Sequence, residues 1–359
     1  MMQLAIIGLP NSGKTTLFNA ICGSDRPVTP YPILEIAHHS AVVPILDERL
    51  DALQAIFQSQ KKTYARVTFV DTNGLGMSEA EGLPGVLRNR LANQDGFIYV
   101  LRSFESASAP HPLSSVDPLR DFSLLEGEFL LSDQLTVETR LERIASEIAL
   151  KGRRRGEELS AERMLLERLA LMLESGRPLR TASFSEKDRP FLHGFGLLSI
   201  KPLLVVINVG DDPLQPLAFP EISQAGAALT QLPAALEWEI AQLPKEEQNP
   251  FLCEYGIREL VATQLPSLAM SALERITFFT AAETEARAWS LPRGGSAVEA
   301  AAMVHSDLAR GFIRAEVMAA AELIQAGSEA QLRAAGNLRL EGKNYVVQEG
   351  DLLQIRFNV

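Results

Sequence analysis

The chain has 359 residues, 46% of them apolar, which is enough to build two or three cored domains. A formal net charge of −11 argues against non-specific coating of nucleic acid, so no DNA partner is expected and an RNA contact needs a local basic patch. No apolar run reaches the roughly 20 residues of a membrane span, and the two cysteines, Cys22 and Cys253, lack metal or redox spacing and fit a reducing cytosol.

The N-terminus, "MMQLAIIGLP", carries no basic segment and runs straight into a strand pattern, so a signal peptide is not expected and a cytoplasmic location is. The strand pattern "LAIIGL" (4–9) leads into "GLPNSGKTT" (8–16), which satisfies G-x-x-x-x-G-K-[ST] with a strand before it and the helix-like "TLFNAI" after it. Gly8 and Gly13 let the backbone curl so that N–H groups across Pro10, Asn11, Ser12 and Gly13 face phosphate oxygens. Lys14 brings a point charge to the β and γ phosphates. The Thr15 hydroxyl is a ligand for Mg²⁺, and Thr16 reaches the α phosphate.

Further apolar, β-branched runs follow at "AVVPIL" (41–46), "ARVTFV" (65–70), "GFIYVL" (96–101) and "KPLLVVINV" (201–209), with helix-like stretches between most of them. That alternation predicts a mostly parallel sheet covered on both faces. Asp71 ends the second of these strands and opens "DTNGL": a carboxylate here holds Mg²⁺ through water while the Gly74 N–H faces the γ phosphate. Leu75 stands where Ras-like switches have a water-orienting glutamine, and it can neither donate nor accept a hydrogen bond.

From about 126 to 195 the pattern changes. Val137, Leu141, Ile144 and Ile148, then Leu159, Leu166, Leu169 and Leu173, have coiled-coil spacing with charges between them. They predict an antiparallel helical hairpin inserted in the α/β domain. "KGRRRGEE" is its tip, and Lys151, Arg153, Arg154 and Arg155 there form the densest basic cluster of the chain. "NVGD" (208–211) ends a later strand in the place of a base-reading N-K-x-D motif. Asn208 would hold the base edge, Asp211 could accept from guanine N1–H and N2–H₂, and Val209 replaces the lysine that packs on the base. The chain closes with a small α+β module: a hairpin ("RITFFT", "EARAWSL"), a helix with a strand, and two closing strands in "NYVVQEGDLLQIRFNV".

Together these residues resemble the YchF family, the Obg-like ATPases of the switch-GTPase superclass, over nearly the whole chain. "GLPNSGKTTLFNAI" is similar to the family phosphate loop, "YPILEI" to its switch I and "LANQDGFIYVLRSF" to the helix and strand after switch II. "DQLTVETRLERI" and "LLERLALMLESGRPLR" are similar to its coiled-coil arm. "ITFFTAAETEARAW", "AAMVHSDLARGFIRAEV" and "EGKNYVVQEGDLLQIRFNV" are similar to its C-terminal TGS module. The resemblance implies an α/β P-loop NTPase (Ras-like G domain, 1–125 and 196–274), an inserted antiparallel α-helical hairpin (126–195) and a ubiquitin-like β-grasp (TGS) domain (275–359). It also implies ATP or GTP as ligand, Mg²⁺ as cofactor, and nucleotide-gated contact with ribosomes linked to translation or stress responses. Family members share an apolar residue at the Leu75 place, so their attacking water is placed by backbone, by metal, or by a group from another loop or a partner.

Several positions depart from the family pattern. Glu35 stands in place of the switch I threonine that ligates Mg²⁺; a carboxylate can ligate too, but would face the γ phosphate's charge. Thr29 could substitute only if the loop shifts. Switch II reads "GMSEAEGLPG", with Glu79 and Glu81 in place of positive charge, which disfavours stabilisation of the transition state. Asp211 replaces the family glutamate, giving a hybrid base motif that leaves ATP and GTP both open. In "LPAALEWEI" (232–240) Ala234 would offer its N–H to the purine, with Pro233 in place of serine or cysteine. Asn11 stands where an asparagine helps hold K⁺ in some cation-dependent switches, or it simply stabilises the loop. Two functions follow. One is a slow P-loop NTPase that resets a ribosome-associated switch. The other is a nucleotide-binding adaptor that no longer hydrolyses and acts through its arm and TGS module, with the basic cluster on ribosomal RNA.

Overall fold

The computed structural model describes residues 2–24, 39–72, 83–151, 153–210, 217–255, 257 and 259–358, without the side chains of 151, 153–156, 158 and 193. The strands are β1 (Met2–Ile7), β2 (His39–Pro44), β3 (Lys61–Thr63), β4 (Arg66–Asp71), β5 (Gly96–Arg102), β6 (Leu203–Asn208), β7 (Ala227–Leu232), β8 (Arg275–Ala281), β9 (Glu285–Pro292), β10 (Phe312–Ala319), β11 (Arg339–Glu341) and β12 (Asp351–Phe357). Helices α1 (Lys14–Cys22), α2 (Glu48–Phe57), α3 (Gly85–Ala92), α4 (Pro118–Lys151) and α5 (Arg153–Glu174) lead a longer series. The chain divides into two compact units. One holds Met2–Ala41 with Thr68–Leu265, the other Val42–Val67 with Pro266–Val359. Residues 42–67 thus group with the C-terminal part, a grouping that the sequence-based boundaries do not make.

The first unit is built on a sheet of order β2-β4-β1-β5-β6-β7. β1, β5, β6 and β7 are parallel neighbours, in register at Ile6↔Ile98, Val100↔Val206 and Val206↔Thr230. β5 and β6 are buried along their whole length, as strands covered on both faces must be. β7 ("AALTQL") is a strand that the sequence patterning did not single out. Its apolar residues are Ala and Leu, which favour helix and lack the β-branching that marks the other strands.

The helix that leads into the arm starts before residue 126. α4 starts at Pro118, and its first turns put Phe122, Leu125 and Phe129 into the sheet core. Phe129 meets Phe97 and Tyr99 edge-on, ring centroids 4.9 and 5.7 Å apart. The same unbroken helix then pairs with α5 as a hairpin. Val137, Ile144, Leu159, Leu166, Leu169 and Leu173 are buried, with Leu141 and Ile148 partly so. Arg140 spans the seam, its Nε and Nη2 donating to the two Glu162 oxygens at 2.6 and 2.8 Å. At the root, buried Asp133 accepts from Leu198 N, Ser199 N and Ser199 Oγ at 2.7, 2.8 and 2.6 Å. Desolvation pushes its carboxyl above the usual range, against the pull of those three bonds.

The second unit has a sheet of order β11-β10-β12-β8-β9-β3. β8 and β9 form the expected antiparallel hairpin, and β8 lies parallel to β12. The helix Ala297–Val304 lays Ala297, Ala300 and Ala301 on Phe278, Val317 and Leu353. A hairpin, a packed helix and parallel first and last strands make a β-grasp. The closing segment supplies one strand, β12, rather than two; Val346 makes only an isolated bridge to Ser296.

Residues 42–67 complete this unit. β3 extends the sheet parallel to β9, with Lys61↔Glu285 and Thr63↔Arg287 in register. Ser59 Oγ donates to Ala282 O at 2.6 Å and Gln60 N to Glu283 O at 2.8 Å. Arg49 of α2 donates to Asp47 Oδ2 and Glu349 Oε1 at 2.7 and 2.5 Å and lies over the Phe279 ring. Gly350, at φ +82°, leaves room for it, because a Cβ there would sit 2.8 Å from Arg49 Nη1.

Candidate functional site

The phosphate loop grows out of β1. Gly8 must lack a side chain: a Cβ would come within 2.5 Å of Val100 O and 2.7 Å of Ser12 Oγ. Asn11 is left-handed at φ 62°, a conformation asparagine tolerates. Gly13 starts α1 at φ 96°, where a Cβ would strike Asn208 Nδ2 at 2.2 Å. α1 begins at Lys14, so the N–H groups of its first turn have no carbonyl within the helix and favour an anion. Pro10, Thr15 and Thr16 are half-buried and Ser12 is buried.

Lys14 is the buried cation of the loop, 7% exposed, and its Nζ donates to Leu9 O at 2.8 Å. Desolvation lowers its pKa to about 8, opposed by the charge of Asp71. Thr15 Oγ1 donates to Asp71 Oδ2 at 3.2 Å. Asp71 is carried there by β4, whose end is pinned to β1 when Thr72 Oγ1 donates to Ile6 O at 2.5 Å. A hydroxyl and a carboxylate oxygen thus meet beside a buried ammonium, a hard-oxygen set suited to Mg²⁺.

Asn208, at the end of β6, is 4% exposed and joins two loops. Its Nδ2 donates to Ser12 O at 3.1 Å, and its Oδ1 accepts from Ala234 N at 3.1 Å. The two residues expected at the base edge thus meet each other at the end of β6, and Asn208 ties that end to the phosphate loop. Val209 packs its side chain against the sheet core, and its N–H donates to Leu232 O.

The family described as "50S ribosome-binding GTPase" matches residues 3–121, and the YchF-GTPase C-terminal family, described as "Protein of unknown function (DUF933)", matches residues 275–358. The chain is 36% identical over 368 residues to the ribosome-binding ATPase YchF of Bacillus subtilis (strain 168), covering all of both chains. The chain belongs to the YchF family. It is also 32% identical to Obg-like ATPase 1 of Oryza sativa subsp. japonica, covering all of this chain and 92% of that one. The solved structure of the Schizosaccharomyces pombe YchF GTPase superposes with a TM-score of 0.80 at 26% identity, over 99% of this chain and 97% of that one. The YchF fold therefore holds for both units: a P-loop GTPase-type domain with its helical hairpin, and a β-grasp module.

In this YchF chain the structure brings together Gly13, Lys14, Thr15, Asp71 and Asn208. Glu35, Thr29, Gly74, Leu75, Glu79, Glu81 and Asp211 lie outside the described residues. So do the side chains of Lys151, Arg153, Arg154 and Arg155, whose backbones end α4 and begin α5. Asn11, the K⁺ candidate, donates its Nδ2 to Pro110 O at 3.1 Å.

The loop after β5 was not anticipated. Arg102, Phe104 and Pro110 touch the phosphate loop or the base-motif strand end, and the one local signal is an arginine closing an otherwise apolar strand. Next to Pro110, His111 is buried, with Nε2 2.8 Å from Asp121 Oδ2 and Nδ1 accepting from Leu113 N at 3.1 Å. Since Nδ1 accepts, Nε2 carries the proton and donates to Asp121. Glu237 was missed as well. Fully buried, it accepts from Val261 N and Ala262 N at 3.1 and 2.7 Å, and desolvation pushes its carboxyl up to about 7.

Proposed function

We propose that this chain is a slow, Mg²⁺-dependent P-loop nucleoside triphosphatase of the cytoplasm that contacts ribosomes according to its nucleotide state. The carrying observation is the Thr15 hydroxyl 3.2 Å from Asp71, beside the buried Lys14 of an intact phosphate loop. Thr15 would hold Mg²⁺ directly and Asp71 through water, and the ion would offset charge on the β and γ oxygens. Lys14 leaves Leu9 O for those same oxygens, the first-turn N–H groups of α1 cradle them, and Thr16 faces the α phosphate. Glu35 would be the switch I ligand, and the Gly74 N–H would face the γ phosphate. Leu75 positions no water. A K⁺ role for Asn11 requires its bond to Pro110 O to give way. Glu35, Glu79 and Glu81 favour the second reading, a nucleotide-binding adaptor without turnover.

ATP is the preferred base reading. The curated relatives are named ATPases, and Val209, turned into the core, supplies no stem to pack on guanine. Guanine offers two donors that a facing Asp211 carboxylate would accept, whereas adenine N1 would repel it. With Asp211 turned away, ATP binds more tightly than GTP and Asp211→Ala changes little. Competition of labelled ATP by unlabelled GTP checks this, and a GTP preference of about tenfold that disappears in Asp211→Ala would overturn it.

The ribosomal contact is assigned to the hairpin turn, where Lys151, Arg153, Arg154 and Arg155 gather. Support comes from relatives named ribosome-binding ATPases and from the affinity of clustered cations for RNA phosphates. Replacing all four by alanine should weaken co-sedimentation with ribosomes by about tenfold or more and flatten its salt dependence. Unchanged sedimentation at every salt concentration would place the contact elsewhere.

A further inference from the structure

Arg102 closes β5 at 1% exposure, yet among the described residues no carboxylate hydrogen-bonds to it. Its Nε donates to Phe104 O at 2.9 Å, and its Nη1 donates to Ala109 O at 2.7 Å and Asn11 O at 3.3 Å. Its guanidinium carbon stands 4.5 Å from the Phe104 ring centroid, and its Nη2 is buried without a hydrogen-bond partner among the described residues. Burying a guanidinium without an ion-pair partner is costly, and so is leaving one of its nitrogens unbonded. A neutral side chain would fill the space without that cost, so the fork of donors has a use.

The three carbonyls come from two segments: Phe104 and Ala109 from the loop after β5, and Asn11 from the phosphate loop. Asn11 is the left-handed corner of the phosphate loop. Phe104 backs Gly210, where a Cβ would meet Phe104 Cβ at 2.7 Å, and Gly210 lies between Val209 and Asp211 of the base motif. Ala109 precedes Pro110, whose carbonyl accepts the Asn11 amide. Ser103 N donates to Asn208 O at 2.8 Å, which ties the same turn to the strand that carries the base motif.

We propose that Arg102 is a positioning residue that joins the phosphate loop to the base-end wall, so that base and phosphates are held as one ligand. This rests on the nucleotide reading of the site. Phosphate binding then draws Asn11 into place, and through the guanidinium fork it also sets Phe104 and the base-motif turn. A lysine keeps the charge but not the planar fork.

The test compares ADP and inorganic tripolyphosphate by calorimetry in sodium buffer, on wild type and Arg102→Lys. ADP uses both walls; tripolyphosphate uses the phosphate loop alone. Arg102→Lys should weaken ADP by about tenfold and tripolyphosphate by no more than about threefold, as expected from losing a charge-assisted hydrogen bond that serves the base end. Its KM for ATP should rise by more than its kcat falls. Asn11→Gly keeps the left-handed backbone and removes the second tie, to Pro110. It should show the same selective loss, about threefold on ADP.

Unchanged ADP affinity in Arg102→Lys, or an equal loss for both ligands, would overturn the proposal by reducing Arg102 to a packing or general phosphate-loop residue. Should Arg102→Lys not fold, wild-type ADP affinity in Asn11→Gly overturns it. Failure of the wild type to bind either ligand would bring down the nucleotide reading and this inference with it.

Discussion

Lys14→Ala should weaken ATP and GTP binding by about 2–5 kcal/mol, roughly thirtyfold to several thousandfold. The ammonium is buried in the loop, parked on Leu9 O at 2.8 Å, and becomes a phosphate partner when nucleotide enters. Its lowered pKa of about 8 adds a pH signature. Nucleotide pairs with the charged form, so binding above pH 8 must take up a proton, and affinity should fall by up to about tenfold per pH unit there. In Lys14→Ala that slope should vanish. The sign for ligand-free stability is opposite. The folded state releases the lysine proton near pH 8 and the unfolded chain near 10.5, so stability at this group rises with pH between the two. Calorimetric titrations from pH 7 to 9.5 check both parts. Equal affinity of wild type and Lys14→Ala would end the phosphate-loop assignment.

Intrinsic turnover should be slow, at or below the roughly 10⁻⁴–10⁻² s⁻¹ scale of unassisted switch NTPases. Leu75 brings no hydrogen-bonding group, Glu35 adds negative charge near the γ phosphate, and His111 is committed to Asp121 and Leu113 N. Glu35→Thr should accelerate hydrolysis if switch I closes on the metal. Single-turnover assays with Mg²⁺ and K⁺, with and without ribosomes, measure this. Several turnovers per second in the purified protein, abolished by Lys14→Ala, would contradict it. No hydrolysis under any of these conditions, with nucleotide still bound, would select the adaptor reading.

The parts of this protein legible in its sequence are those set by local chemistry. Gly8 and Gly13 announce a backbone that no side chain permits, and the structure shows the atoms a Cβ would strike. The spacing from Val137 to Leu173 names most of the buried seam of the hairpin, six of its eight positions being buried and Leu141 and Ile148 partly so, because a helix repeats its faces on a fixed period. "GFIYVL" and "LLVVIN" are apolar on both faces and become central parallel strands.

Periodicity tells which face is buried, not what covers it, and there the tertiary structure decided. Residues 45–65 lie between β2 and β4 of the nucleotide sheet in sequence, yet β3 pairs with β9, and Thr63 donates to Glu285, 222 positions away. Arg49 meets Glu349 across 300 positions. Asn208 and Ala234, both expected at the base edge, are brought within 3.1 Å of each other by the fold. Arg102 reads as the end of a strand until three carbonyls from the site's walls converge on it. Where a polar group is withdrawn from water, as at Asn208 and Arg102, it must find a partner, and the distant ones, Ser12, Ala234 and Asn11, are chosen by chain topology, which no local pattern encodes.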